Sequence, residues 1–127
     1  MLRSYLIDEV SNLEMEDTFV KHTNWDLRKG KPYVIACSEK LEKIIESNKI
    51  HKGITATAGG FYGPQGRVLR LNIQDEALNA KMDNFKFGDN QITNLEMETA
   101  AIYGLSALLG HNALSLNAII ANRASGT

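Results

Sequence analysis

The loop at residues 59–67 contains the first residues that could bind a ligand, Phe61, Gln65 and Arg67. Four glycines within residues 59–66 would let the backbone approach a flat ligand closely. Phe61 could stack on a ring, and Gln65 and Arg67 could offer donors and an acceptor to the edge of that ring. The alternative is a surface turn in which Gly63-Pro64 reverses the chain. The loop does not have the spacing of a phosphate-binding loop, because no Lys-Ser/Thr pair follows and GxGxxG is absent.

A second segment, residues 94–100, has two carboxylates two positions apart, Glu96 and Glu98. Thr93 through Glu96 resembles a capping box that opens a long helix, and this gives Glu96 a structural role. The presence of Glu98 is harder to explain by a structural role, because a stretch of small and apolar residues follows it. Its carboxylate could accept hydrogen bonds from a vicinal diol such as ribose, or it could belong to a buried structural pair.

The third segment, residues 119–123, reads Ile-Ile-Ala-Asn-Arg, an apolar run that ends in polar residues. We expect a buried strand here whose carboxyl end presents Asn122 and Arg123. Ligands of α/β sheets usually bind at that edge, although a solvated strand end would have the same pattern.

Composition narrows the function classes. The 127 residues carry 14 basic and 15 acidic side chains, a net charge of -1, which shows no bias towards nucleic acid or anionic membranes. No apolar run approaches the length of a membrane span, and the N-terminus is not a signal peptide. The single cysteine, Cys37, excludes an intramolecular disulfide, and His22, His51 and His111 share no metal-ligand spacing. We therefore expect a soluble, cytoplasmic protein with no metal site.

Predicted strands and helices alternate along the chain, and these elements must position the three segments. The chain begins with the helical spacing of Leu2, Tyr5, Leu6 and Val10. The order favours an α/β layer fold. The predicted strands are 33–37, 54–58 and 114–121, and the predicted helices follow Ser38, span 75–82 and run from the capping box to Gly110.

Taken together, the three segments resemble the uridine phosphorylases of the nucleoside phosphorylase superfamily. The sequence FYGPQGR resembles the uracil-binding loop of that family, NLEMETA its ribose-binding signature, and AIIANR the strand whose end closes the base pocket. The resemblance implies a three-layer α/β/α fold with a mixed central sheet, phosphorylase/hydrolase-like, which residues 1–127 form only in part as a single-domain fragment. The family's phosphate loop and final helix are not matched, and the chain by itself is expected to be inactive.

The resemblance also implies roles for the residues of the loop and of the third segment. Phe61 would pack against base and sugar, and Gln65 and Arg67 would hydrogen-bond the uracil. Ile120 and Ala121 would line the base pocket, and Arg123 would lie beside Arg67 at its rim.

For the ribose, the resemblance implies that Met97 lies against the sugar, that Glu98 accepts from its hydroxyls and that Glu96 supports this arrangement. Purine phosphorylases of the superfamily would place an aspartate after the third strand, where this chain has Asn122-Arg123, and this favours a pyrimidine.

The implied reaction is the reversible phosphorolysis of uridine to uracil and ribose 1-phosphate. It needs no cofactor besides phosphate as co-substrate, and the family forms homo-oligomers, a hexamer of dimers. Two alternatives remain: a phosphorylase or nucleosidase for another nucleoside, and a non-catalytic nucleoside-binding or assembly module.

Overall fold

The computed structural model describes the backbone of residues 5–122 and the side chains of residues 7–122. Short 3-10 turns occur at Leu27–Lys29 and Gly63–Gln65. The helices are α1 (Tyr5–Asp8), α2 (Leu13–Thr23), α3 (Glu39–Ile45), α4 (Leu78–Asp83) and α5 (Thr99–Leu108), and the strands are β1 (Ile54–Thr57), β2 (Lys86–Phe87) and β3 (Asn90–Glu96).

The strands form one mixed sheet in the order β1-β3-β2. β1 and β3 are parallel, with Thr57 opposite Glu96, so their carboxyl ends are level. β2 and β3 are antiparallel and are joined at Gly88-Asp89, where Gly88 has a φ of 58°. A mixed sheet with helices confirms the α/β class predicted from the sequence. The strand predicted at 54–58 is confirmed as β1.

Two predicted helices are confirmed with small shifts in their bounds. Ser38 caps α3, because its side chain accepts a hydrogen bond from the backbone N–H of Leu41. The helix predicted at 75–82 is α4, which begins three residues later. α2 was not predicted, although Asn12 provides the same type of cap by accepting from the N–H of Met15 at 3.0 Å.

The predicted capping box at residues 93–96 is wrong. Thr93 lies within β3, and α5 begins at Thr99. The physical reason is that residues 90–91 pair with β2 and residues 92 and 94–96 pair with β1. This tertiary pairing outweighs the local capping pattern around Thr93, which lies at an irregularity in the register. Glu96 still caps the helix, but it does so from the end of the strand that precedes it.

The other two predicted strands are also absent. Of residues 33–37, only Ile35 forms a bridge, with Ser11. Residues 114–121 form no strand and are mostly exposed. Within residues 5–122 no strand of the sheet pairs with either run, and an extended segment without a paired strand gains no ladder of hydrogen bonds. Single bonds hold them instead, such as Ser115 N–H to the Tyr103 hydroxyl at 2.6 Å.

A buried aromatic cluster lies between α2 and the residues that follow α4. Phe85, which is 1% exposed, contacts Phe19 edge-to-face at a centroid distance of 5.2 Å. His22 contacts the same ring at 5.5 Å, and its Nε2 lies 2.9 Å from the carbonyl oxygen of Lys81. Phe85 therefore packs α2 against the turn that leads from α4 into β2.

A buried carboxylate, Glu16, fastens the segment that follows α2. Its Oε1 accepts from the backbone N–H of Val34 at 3.1 Å, and its Oε2 lies 3.5 Å from the ammonium group of Lys31. Its side chain is fully buried. Asp17 contacts the same ammonium group at 2.9 Å, but its side chain is 61% exposed. The chain thus offers two carboxylates on one lysine that differ in burial.

We expect Glu16→Ala to lower the free energy of unfolding by about 1–3 kcal/mol, because it leaves a part-buried N–H of Val34 without its acceptor. Asp17→Ala is the matched control, and its loss should stay below about 1 kcal/mol, because exposed ion pairs contribute little. Urea unfolding of the two variants measures the difference. Equal losses would contradict a special role for the buried carboxylate.

Candidate nucleoside-binding site

An open cavity of about 1630 Å³ lies against β1, β3 and α5. Most of its lining is apolar, and it includes Tyr62, Arg67, Leu95 and Met97. Two of the three segments singled out in the sequence therefore contribute residues to one concave surface. Concave, largely apolar surfaces with a few polar groups are typical of small-molecule sites.

The loop that follows β1 has a defined shape. The 3-10 turn Gly63–Gln65 is closed by N–H groups of Gln65 and Arg67, which both donate to the carbonyl oxygen of Tyr62 at 3.0 Å. Gly66 adopts a φ of 77°, in the left-handed region that favours glycine. Asn79 on α4 donates to the carbonyl oxygen of Gln65 at 3.2 Å. The turn is thus supported by its own backbone and by a helix from elsewhere in the chain.

The structure brings together all three residues predicted from this loop. The guanidinium carbon of Arg67 lies 3.5 Å from the centroid of the Phe61 ring. Its Nη1 donates to Gln65 Oε1 at 2.7 Å and also to the carbonyl oxygen of Phe61. Gln65 is only 4% exposed, whereas Phe61 is exposed. The cluster places a cation, an amide and an aromatic face next to one another.

Glu96, at the end of β3, is held by three donors. Its Oε2 accepts from the backbone N–H groups of Glu98 and Thr99 at 2.7 and 2.8 Å. Its Oε1 accepts from the hydroxyl of Thr57 at 2.5 Å. Burial by itself would raise the pKa of Glu96, but these hydrogen bonds outweigh it and lower the pKa below the ordinary value of 4.5. Glu96 therefore stays ionised and fixes the start of α5.

The lowered pKa of Glu96 predicts the sign of a pH effect on stability. The folded state binds this proton more weakly than the unfolded chain, so the contribution is complete above pH 4.5 and is lost as the pH falls through the lowered pKa. We expect Glu96→Gln to remove that part of the dependence. Urea unfolding between pH 3 and pH 7 measures it, with exposed Glu76→Gln as control. Parallel pH profiles for Glu96→Gln and the parent protein would contradict the assignment.

Glu98 lies at the N-cap position of α5 and is exposed. The helix predicted to run from the capping box would have included Glu98, and this is wrong, because α5 begins after it. Its Oε2 accepts a long hydrogen bond from the N–H of Met97 at 3.3 Å. Met97 is also exposed and lines the cavity. A carboxylate with this little internal hydrogen bonding can accept bonds from a ligand.

The segment predicted to close the pocket lies elsewhere. Ile120 is 95% exposed, Ala121 is exposed, and neither lines the cavity. The buried strand that was to position them does not form, for the reason given above. Arg123 lies outside the described residues. The candidate site therefore consists of the loop after β1 and the turn after β3.

Sequence reasoning missed two residues that support this site, Thr57 and Asn79. Thr57 was noted only as part of a strand, and Asn79 only as part of a helix. The threonine was detectable in principle, since it occupies the last position of a strand that precedes a glycine-rich loop. The hydrogen bond between Thr57 and Glu96 could not be predicted from the sequence, because the two residues are 39 positions apart.

Other kinds of site find no support in the described part of the chain. Among residues 5–122, no three His, Cys, Asp or Glu side chains are grouped so that they could hold a metal ion. In the same range, no helix is both long enough and apolar enough to cross a membrane. Burial and the nearby carboxylate of Glu42 raise the pKa of the Cys37 thiol, so the cysteine lacks the character of a reactive nucleophile.

Comparison with known proteins gives one result that covers nearly the whole chain. The model of a family described as the phosphorylase superfamily matches residues 5–127. No curated protein and no solved structure matches the chain significantly. The family match includes both the loop after β1 and the turn after β3. This chain belongs to the phosphorylase superfamily.

Proposed function

We propose that this protein takes part in the reversible phosphorolysis of uridine to uracil and ribose 1-phosphate. The observation that supports it best is the level register of Thr57 and Glu96, which puts the start of the glycine-rich loop beside the start of the Met97-Glu98 turn. The N–H of Ala58 donates to the carbonyl oxygen of Glu96 at 2.8 Å and extends the pairing to the loop itself. A nucleoside could therefore place its base at the loop and its sugar, to which the base is bonded, at the turn.

Phosphorolysis breaks the bond between C1′ of the sugar and the base nitrogen. Positive charge develops on the sugar and negative charge on the departing base. Uracil is a poor leaving group, so donors aimed at its oxygens stabilise the transition state. Arg67 stays charged at any physiological pH, and the amide N–H groups of Gln65 would donate to the uracil edge while its Oε1 accepts from Arg67. Phosphate is the nucleophile, so this mechanism needs no nucleophilic side chain.

The ribose requires acceptors for its hydroxyls and a surface for its ring. Glu98 provides a carboxylate, and Met97 beside it provides an apolar surface on the cavity wall. Glu96 is engaged with the backbone of α5, so its role is to support the turn. We further propose that phosphate is the only co-substrate, that no organic cofactor takes part, and that the protein acts in the cytoplasm as a homo-oligomer.

The proposal is tested by phosphate-dependent release of uracil from uridine, with inosine and thymidine as competing substrates. The assay uses the full-length protein that contains these residues. Preference for uridine supports the proposal, and preference for inosine would contradict it. Tight binding of uridine with no turnover at any phosphate concentration would favour a nucleoside-binding module. Release of uracil without phosphate would favour a nucleosidase.

A further inference from the structure

The hydroxyl of Thr57 takes part in two hydrogen bonds of opposite direction. It donates to Glu96 Oε1 at 2.5 Å and accepts from the backbone N–H of Ala100 at 3.0 Å. The first bond joins the ends of β1 and β3, and the second joins β1 to the first turn of α5. A valine at this position would keep the shape of the side chain and lose both bonds.

Together, Thr57 and Glu96 satisfy three consecutive donors at the start of α5. The N–H groups of Glu98 and Thr99 donate to Glu96, and that of Ala100 donates to Thr57. The first N–H groups of a helix have no partner within the helix, so side chains from outside must provide the acceptors. Here both acceptors come from the sheet, and the helix start is thereby placed relative to the strands.

The residues between these anchors are Met97 and Glu98. Met97 follows Glu96 directly, and Glu98 precedes the first helical residue, so the anchored groups flank the turn on both sides. Met97 and Glu98 make few contacts of their own, as described above, and their direction depends on the anchors. On the other side, Thr57 is the last residue of β1, two positions before the glycine-rich loop begins.

We propose that Thr57 is a positioning residue that acts through Glu96 to fix the Met97-Glu98 turn, and with it the ribose-binding carboxylate, relative to the base-binding loop. The step from turn to ribose rests on the proposed function. The coupling between Thr57, Glu96 and the turn rests on the hydrogen bonds alone.

The test compares Thr57→Val with Thr57→Ser. The valine variant should lower kcat/KM for the nucleoside by about 10- to 100-fold, because small displacements of a positioning group have effects of this size. Its KM for the nucleoside should rise while its KM for phosphate stays the same. The serine variant keeps the hydroxyl and should recover most of the activity. Thr93→Val, at an exposed threonine on β3 that does not line the cavity, is the matched control and should leave the KM values for nucleoside and phosphate unchanged.

A second readout does not depend on turnover. In Thr57→Val, the backbone amides of Glu98, Thr99 and Ala100 should exchange faster with solvent, and the Glu96 carboxyl should titrate at higher pH by carbon NMR. Thr57→Ser should restore both. Should Thr57→Val fail to fold, Glu96→Gln probes the same link from the other side, because an amide keeps only one acceptor oxygen where the link needs two.

Unchanged amide exchange and an unchanged Glu96 titration would overturn the coupling. Faster exchange with an unchanged nucleoside KM would overturn the positioning role, and so would an equal rise of both KM values. A protein that turns over no nucleoside would contradict the proposed function, while the exchange and titration measurements would still decide whether Thr57 fixes the turn.

Discussion

Replacing Arg67 by alanine should lower kcat/KM for uridine by about 30- to 1,000-fold, equivalent to about 2–4 kcal/mol of transition-state stabilisation. The guanidinium lies on the Phe61 ring and donates to Gln65, so it is held at the loop in advance of the reaction. A donor that is already oriented when charge develops on the base is worth more than one that must first be ordered. The measurement is steady-state kinetics of uracil release by the full-length protein.

Two further variants separate geometry from charge. Arg67→Lys keeps the positive charge but loses the planar fork, and we expect it to recover only a small part of the activity. Lys49→Ala removes the same charge from an exposed side chain that does not line the cavity. It should leave kcat/KM within about twofold, as surface substitutions usually do. An unchanged kcat/KM in Arg67→Ala would remove this residue from the mechanism.

Replacing Glu98 by glutamine should reduce activity on uridine more than on 2′-deoxyuridine. Hydrogen bonds to a charged acceptor contribute about 1.5–3 kcal/mol, roughly twice the contribution of neutral ones. If the carboxylate accepts from both ribose hydroxyls, the variant loses part of two such bonds on uridine and of one on deoxyuridine. We expect about tenfold more loss on the ribonucleoside.

The control for Glu98 is Glu76→Gln, an exposed carboxylate away from the turn, which should change neither substrate. Equal losses on uridine and deoxyuridine would mean that Glu98 contacts the 3′-hydroxyl only or has a structural role. Because Glu98 is exposed and makes one weak internal bond, its substitution should leave the free energy of unfolding almost unchanged. The effect on activity can therefore be separated from an effect on folding.

The loop at residues 59–67 shows which parts of the structure can be predicted from local sequence. Phe61, Gln65 and Arg67 lie within seven positions, and a turn made by Gly63, Pro64 and Gly66 brings them together with mainly local bonds. Short-range geometry of this kind is encoded by glycine and proline themselves. The same holds for the cap at Ser38 and for the strand predicted at 54–58, and these two predictions are confirmed.

The errors arose where a segment's structure depends on a distant partner. Thr93 carries a good local signal for a helix start, but its neighbours Ile92 and Asn94 pair with β1, which is far away in sequence, and keep this segment in β3. The missed hairpin at Gly88-Asp89 is an error of another kind, because a two-residue Gly-Asp connection is itself a local hairpin signal. The run at 114–121 is apolar enough for a buried strand, yet no described strand lies beside it.

The sequence by itself determined the α/β class, the loop that carries the aromatic, amide and guanidinium groups, and the presence of two carboxylates near the start of a helix. The capping pattern also favoured a structural role for Glu96 and left Glu98 available for a ligand. Only the tertiary structure decided which groups hold Glu96 in place. Thr57, 39 residues from Glu96, donates to one oxygen of its carboxylate. The backbone N–H groups of Glu98 and Thr99 donate to the other oxygen. Glu98 stays exposed. Which carboxylate forms these hydrogen bonds depends on where the groups lie in space, and separation along the sequence does not specify those positions.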